Sequence, residues 1–117
     1  MKPILIAEDE RRVAAFLEKG LSKNGFATIV AEDGQQAINL AIQSEFELLL
    51  LDLGLPVKDG FTVLNELRSQ NTALPIIVIT AFDDEQSLHR VLSQGANDYL
   101  KKPFSFKDLL AKISCCL

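Results

Sequence analysis

Leu48-Leu49-Leu50-Leu51-Asp52 is the stretch on which the fold turns. Four leucines ending in an acid are too short to cross a bilayer, which takes about 20 apolar residues. The run is also unbroken rather than alternating, so a strand here is covered on both faces. Such a strand belongs inside a parallel sheet flanked by helices. Working outward, Ile76-Ile77-Val78-Ile79 has the same character and ends in Thr80. Ile4-Leu5-Ile6-Ala7 ends in Glu8-Asp9-Glu10. A β-rich run from Ala27 to Ala31 and a short strand at Tyr99-Leu100 complete the set.

Between these runs the apolar period becomes helical. Val13, Phe16, Leu17 and Leu21 form one stripe, closed by Asn24-Gly25. Ala37, Ile38, Ala41 and Ile42 form a second, and Val63, Leu64 and Leu67 a third. Leu88, Val91 and Leu92 mark a fourth helix, stopped by Gly95, and Leu109, Leu110 and Ile113 mark the last. Glycine after a helix is a good stop because it accepts the left-handed conformation. The order βαβαβαβαβα predicts an α/β fold: a single doubly wound five-stranded parallel sheet, order 2-1-3-4-5, helices on both faces. Its ligand crevice then lies beyond the carboxyl ends of strands one and three, where the strand order reverses.

Composition agrees with one domain over residues 1–117. Hydrophobic residues make up 48% and charged residues 24%, as in a soluble globular protein. A chain this long buries roughly two-thirds of its unfolded surface, so it needs no disulfide or metal to fold. Cys115 and Cys116 are adjacent and cannot staple the fold; they read as the apolar edge of the last helix, in a reducing compartment. Twelve basic and sixteen acidic residues give a net charge of −4, which disfavours direct nucleic-acid binding by this domain. No apolar run is long enough for a membrane span, and the first residues meet Glu8-Asp9-Glu10 before a signal-peptide core forms. A cytoplasmic protein with no membrane partner is expected.

The residues just past each strand carry the chemistry. Glu8 and Asp9 follow strand one, Asp52 strand three, Thr80 strand four, and Lys102-Pro103 strand five. Glu32-Asp33 follows strand two, which the predicted order puts at the sheet edge. Each residue has an ordinary reading as well: Asp9 as a helix N-cap, Thr80 as a turn residue, Lys102 as a solvated lysine. Their shared location is what matters. Two like charges 5 Å apart cost about 3 kcal/mol at an effective dielectric near 20. Converging carboxylates therefore raise a pKa or recruit a cation. Hard oxygen ligands suit Mg²⁺, and the only histidine, His89, lies far along helix four. A carboxylate beside Mg²⁺ can itself attack phosphorus to give an aspartyl phosphate.

At these residues the chain resembles the receiver domain of two-component response regulators, a flavodoxin-like (CheY-like) family. The likeness rests on Ile4–Glu10, Leu51-Asp52-Leu53-Gly54-Leu55-Pro56, Asp59-Gly60, Ile79-Thr80-Ala81, Gly95–Tyr99 and Lys102-Pro103-Phe104. It implies that Asp52 is the phosphoacceptor, taking a phosphoryl group from the phosphohistidine of a sensor histidine kinase or histidine phosphotransfer protein. It implies direct Mg²⁺ ligation by Asp9 and Asp52, by Glu8 mostly through water, and by the carbonyl of Gly54. Lys102 would pair with the phosphoryl oxygens, next to a cis Lys102-Pro103 bond. Thr80 would turn toward the phosphoryl group, Tyr99 would move inward behind it, and Ala81 would leave room and offer its N–H. The phosphoryl contacts would shift a two-state population; taking 1:99 to 99:1 needs about 5.5 kcal/mol of preference. The surface of helix four, strand five and helix five would change.

Leu53-Gly54-Leu55-Pro56 and Lys102-Pro103-Phe104 resemble most the OmpR/PhoB subfamily, which implies a homodimer through that surface. Asp98, Asp108 and Lys112 stand where three of its charged residues would, whereas Leu88 stands in place of a basic one. The resemblance also puts Phe82, two residues after Thr80, near the route of the water that would hydrolyse the phosphate. Two rivals remain. A haloacid-dehalogenase-type phosphatase would carry Asp-x-Asp after strand one, where this chain has Glu8-Asp9-Glu10. A receiver-like binding module that is not phosphorylated would be expected to have lost the acceptor, an acid or the lysine.

Overall fold

A computed structural model describes residues 2–70 and 72–117. Five strands, β1 (Ile4–Ala7), β2 (Thr28–Ala31), β3 (Leu48–Asp52), β4 (Ile76–Thr80) and β5 (Asp98–Lys101), form one parallel sheet in the order β2-β1-β3-β4-β5. Helices α1 (Arg11–Lys23), α2 (Gly34–Gln43), α3 (Gly60–Ser69), α4 (Glu85–Ser93) and α5 (Phe106–Cys116) connect and follow them. The doubly wound order predicted from the sequence is the one observed.

The unbroken apolar strands explain the two cores. Neighbouring side chains along a strand point to opposite faces, and β1, β3 and β4 are buried throughout. Leu5, Leu49, Leu51 and Val78 meet α2, α3 and α4 on one face; Ile4, Ile6, Leu48, Leu50, Ile77 and Ile79 meet α1 and α5 on the other. Asp33, Asp59, Asp84 and Ser105 cap α2, α3, α4 and α5 by accepting a backbone N–H two or three residues into the helix. Gly25 and Gly95, with φ of 86° and 108°, take the left-handed turns after α1 and α4.

Three helical stripes differ from expectation. Phe16 is exposed, and Ala14, Leu17 and Leu21 are the residues of α1 that face the sheet. Phe16 instead meets Phe106 of α5 edge-on, centroids 5.8 Å apart. Ile42 and Leu92 are exposed too. Cys115 is exposed and only Cys116 touches the core. Both β3 and β4 run one residue further than their apolar runs, taking in Asp52 and Thr80. Among the described residues no helix is long and apolar enough to cross a membrane.

Candidate functional site

Among the described residues the buried polar or charged side chains are Glu8, Asp52 and Thr80, at 2%, 7% and 1% exposure. All three lie at the carboxyl edge of the sheet, and strand register brings them level. Ala7 pairs with Leu51, Asp52 with Ile79, and Thr80 with Lys101. Burying a carboxylate is costly unless it is paired, so two carboxylates and a hydroxyl buried at one edge mark a site rather than a packing accident.

Lys102 is placed by its own N–H, which donates to the Thr80 carbonyl at 2.8 Å, and is followed by a cis bond to Pro103. Its ammonium reaches Glu8 Oε1 at 3.4 Å and Asp52 Oδ1 at 3.7 Å. The Gly54 N–H donates to Asp52 Oδ1 at 3.2 Å. Gly60 makes the close return of the chain possible: its N–H donates to the Leu53 carbonyl at 2.9 Å, and a Cβ there would stand 2.7 Å from the Asp52 carbonyl oxygen. Asp9 is exposed but belongs to the same cluster. Glu8, Asp9 and Asp52 each offer an oxygen within 4.8 Å of the others. Asp9 is not the N-cap of α1; Glu10 holds that position, without a side-chain cap bond.

Burial pushes the Glu8 carboxyl up from 4.5 to about 7. The bond from the Glu10 N–H opposes this, the Asp52 charge adds to it, and the Lys102 charge opposes it. One ammonium facing three carboxylates leaves the cluster short of positive charge. All-oxygen donors and that deficit suit a hard divalent cation.

Asp52, Gly54, Thr80, Ala81, Phe82, Asp9, Glu10 and Lys102 line a cleft of about 270 Å³. The Phe82 N–H donates to Thr80 Oγ1 at 2.9 Å, so the threonine hydroxyl is engaged by its own loop. Tyr99 is part-buried against the α2/α3/α4 core, with the Lys112 ammonium 5.9 Å from its ring centre. Lys112 also reaches Asp98 at 3.1 Å within the same chain. Glu32 and Asp33 stay apart from the cluster, and Asp33 serves as the α2 cap. Arg68 gave no sign in the sequence, where a cation in the last turn of a helix is unremarkable. In the fold it reaches the carbonyls of Gly95, Thr72 and Leu74.

The likeness to known proteins runs along the same lines. The response regulator receiver domain model matches residues 4–114. The transcriptional regulatory protein CusR of Escherichia coli K12 is 38% identical over 114 residues, 97% of this chain and 50% of CusR. The chain thus spans about half the length of the curated relatives it matches. Among solved structures, the receiver domain of Francisella response regulator 1452 superposes with a TM-score of 0.94 at 32% identity, covering 99% of this chain and 96% of that one. Response regulator TrrA of Thermotoga maritima, solved with Mg²⁺ and beryllofluoride, superposes at 0.89 with 29% identity over the whole of both chains. A parallel sheet in this order, an acidic cluster at its switch point, a family match over nearly every residue and relatives among transcriptional regulators lead to one conclusion: the chain belongs to the receiver domain family of two-component response regulators.

Proposed function

We propose that Asp52 is the phosphoacceptor of a signalling switch comprising residues 1–117. The observation that carries this is the convergence of Glu8, Asp9 and Asp52 within 4.8 Å, with the Lys102 ammonium 3.7 Å from the acceptor carboxylate. The donor is a phosphohistidine of a sensor histidine kinase or a histidine phosphotransfer protein, met in the cytoplasm. An Asp52 carboxylate oxygen forms a bond to phosphorus as the phosphorus–nitrogen bond breaks, and the imidazole leaves with its electron pair and takes up a proton. Transfer of this kind depends on positioning and charge stabilisation more than on covalent help. Lys102 supplies a fixed positive charge, the Ala81 N–H and the Thr80 hydroxyl supply donors once Thr80 releases Phe82, and the cleft walls hold the phosphoryl group in line.

Glu8, Asp9, Asp52 and the Gly54 carbonyl fit Mg²⁺, which would neutralise charge on the transferring oxygens. The domain promotes its own phosphorylation and its slow dephosphorylation, not repeated turnover of an external substrate. Thr80 and Tyr99 then carry the change to the surface of α4, β5 and α5, where an output or a second copy docks. Within the chain Asp98 is already paired with Lys112, so a homodimer would have to exchange or share that pair. The net charge of −4 keeps direct nucleic-acid binding out of this domain's own role.

Acetyl phosphate with Mg²⁺, followed by intact-mass measurement, tests the assignment. The expected result is a gain of one phosphoryl group, lost on chelation and in Asp52→Asn. No adduct on the unsubstituted chain would favour a binding module that is never phosphorylated, and continued release of phosphate from a generic phosphomonoester would favour the phosphatase.

A further inference from the structure

α4 is the least anchored helix of the fold. Of its nine residues only Val91 is buried, against four in α3 and three in each of α1 and α2. Elements with few buried contacts open most readily. Its C-terminal end is held, because the Arg68 guanidinium donates to the Gly95 carbonyl at 2.9 Å. Its N-terminal end follows the loop that leaves β4 after Thr80 and begins with Ala81, where the ion pair of Asp83 with Lys101 is long and exposed. Between the two ends, Arg90 lies over the Phe61 ring, its guanidinium carbon 3.9 Å from the ring centre. Phe61 is the second residue of α3, directly after Gly60, which packs against the main chain of Asp52 and Leu53. α4 is therefore linked to the surroundings of Asp52 by two routes: along the chain through the loop after Thr80, and through Arg90 on Phe61.

We propose that the Arg90–Phe61 stack is a positioning contact for the switch, holding α4 on the first turn of α3 in the arrangement where Thr80 Oγ1 is bonded to the Phe82 N–H. The inference rests on Asp52 being the phosphoacceptor. Moving α4 requires the guanidinium to slide off the ring, so the stack opposes the phosphoryl-favoured arrangement. A ligand's apparent affinity scales with the population of the state that binds it, so weakening the stack tightens binding of a phosphoryl analogue. A part-exposed cation–π contact corresponds to about two- to fivefold in such an equilibrium.

The test is a double-mutant cycle on the full chain, with beryllofluoride and Mg²⁺ as the probe and affinity read by calorimetry. Arg90→Gln and Phe61→Leu are each expected to bind beryllofluoride about two- to fivefold more tightly. The double variant should gain no more than either single change, and Phe61→Tyr should behave like the original chain. Arg90 is exposed and its substitution does not threaten folding. Amide exchange over residues 85–93 should quicken in Arg90→Gln without a matching loss of global stability. Unchanged affinities in both single variants, or gains that multiply in the double, would overturn the stack as a positioning contact while leaving the acceptor in place. Failure of the unsubstituted chain to bind beryllofluoride would overturn the acceptor reading and this inference together.

Discussion

Replacing Arg68 by Met should cost more stability than its place near a helix end suggests. The guanidinium donates five hydrogen bonds: Nε to the Gly95 carbonyl at 2.9 Å, Nη1 to Thr72 O and Oγ1 at 3.0 and 3.3 Å, and Nη2 to Leu74 O and Asn97 Oδ1 at 2.8 and 3.2 Å. Asn97 Oδ1 in turn accepts the Ile76 N–H at 2.9 Å, so the network reaches the first residue of β4. Met keeps the aliphatic stem that packs under Gly95 and removes only the fork. Bonds from a charged donor contribute about 1.5–3 kcal/mol each where the acceptors stay dry. Here the acceptors sit on loops that water can enter once the fork is gone, which returns most of that. The expected net loss is about 2–4 kcal/mol, or roughly 8–16 °C in Tm for a domain of this size. Arg68→Lys should recover less than half, since one ammonium cannot span three carbonyls. Urea unfolding followed by circular dichroism measures both. A loss under about 0.5 kcal/mol, the usual range of a surface substitution, would refute the claim that this residue ties the α3–β4 and α4–β5 loops together.

The remaining predictions are more local. Glu8 titrates near 7 in the folded chain and near 4.5 when unfolded, so between those values the folded state binds more protons and stability falls as pH rises. In metal-free buffer Glu8→Gln should match the original near pH 4.5 and exceed it by about 3 kcal/mol above pH 7; denaturant titrations at several pH values check this, and a pH-independent difference would contradict it. Val57 has φ of 70° in a tight turn closed by the Lys58 N–H on the Pro56 carbonyl at 2.8 Å, and its side chain is 76% exposed. A β-branched residue there is strained, so Val57→Gly should gain about 1 kcal/mol after the entropy of glycine is counted, raising Tm by about 4 °C; a lower Tm would count against the strain. Phe82 is half-exposed on the cleft wall. Phe82→Asn adds an amide that can orient the attacking water, and one such bond is worth about fivefold in rate; the decay of phosphorylated protein should quicken accordingly, and unchanged decay would sink the idea.

The fold was legible because its evidence is local. Four leucines before Asp52, and the runs before Glu8 and Thr80, read as strands covered on both faces because helical stripes alternate with them, as parallel strands require. The site was legible for the same reason: a parallel sheet puts all carboxyl ends on one edge, so residues just past the strands must meet there. Helix facing was less legible. Phe16, Ile42 and Leu92 fit the apolar period but are exposed, and period alone does not say how much of a helix face its neighbours cover.

By itself the sequence determined a doubly wound parallel sheet, for which 2-1-3-4-5 is the common strand order, the edge on which chemistry collects, and the identity of Glu8, Asp9, Asp52, Thr80 and Lys102 at that edge. Only the tertiary structure decided which long-range pairs form: Lys102 with Glu8, Arg68 with three distant carbonyls, Arg90 on Phe61. It alone raised the Glu8 carboxyl toward neutrality. The physical reason is that period and polarity report how a residue relates to its own element. Contacts between elements depend on distances of a few ångströms, set by how glycines such as Gly34 and Gly60 let main chains approach.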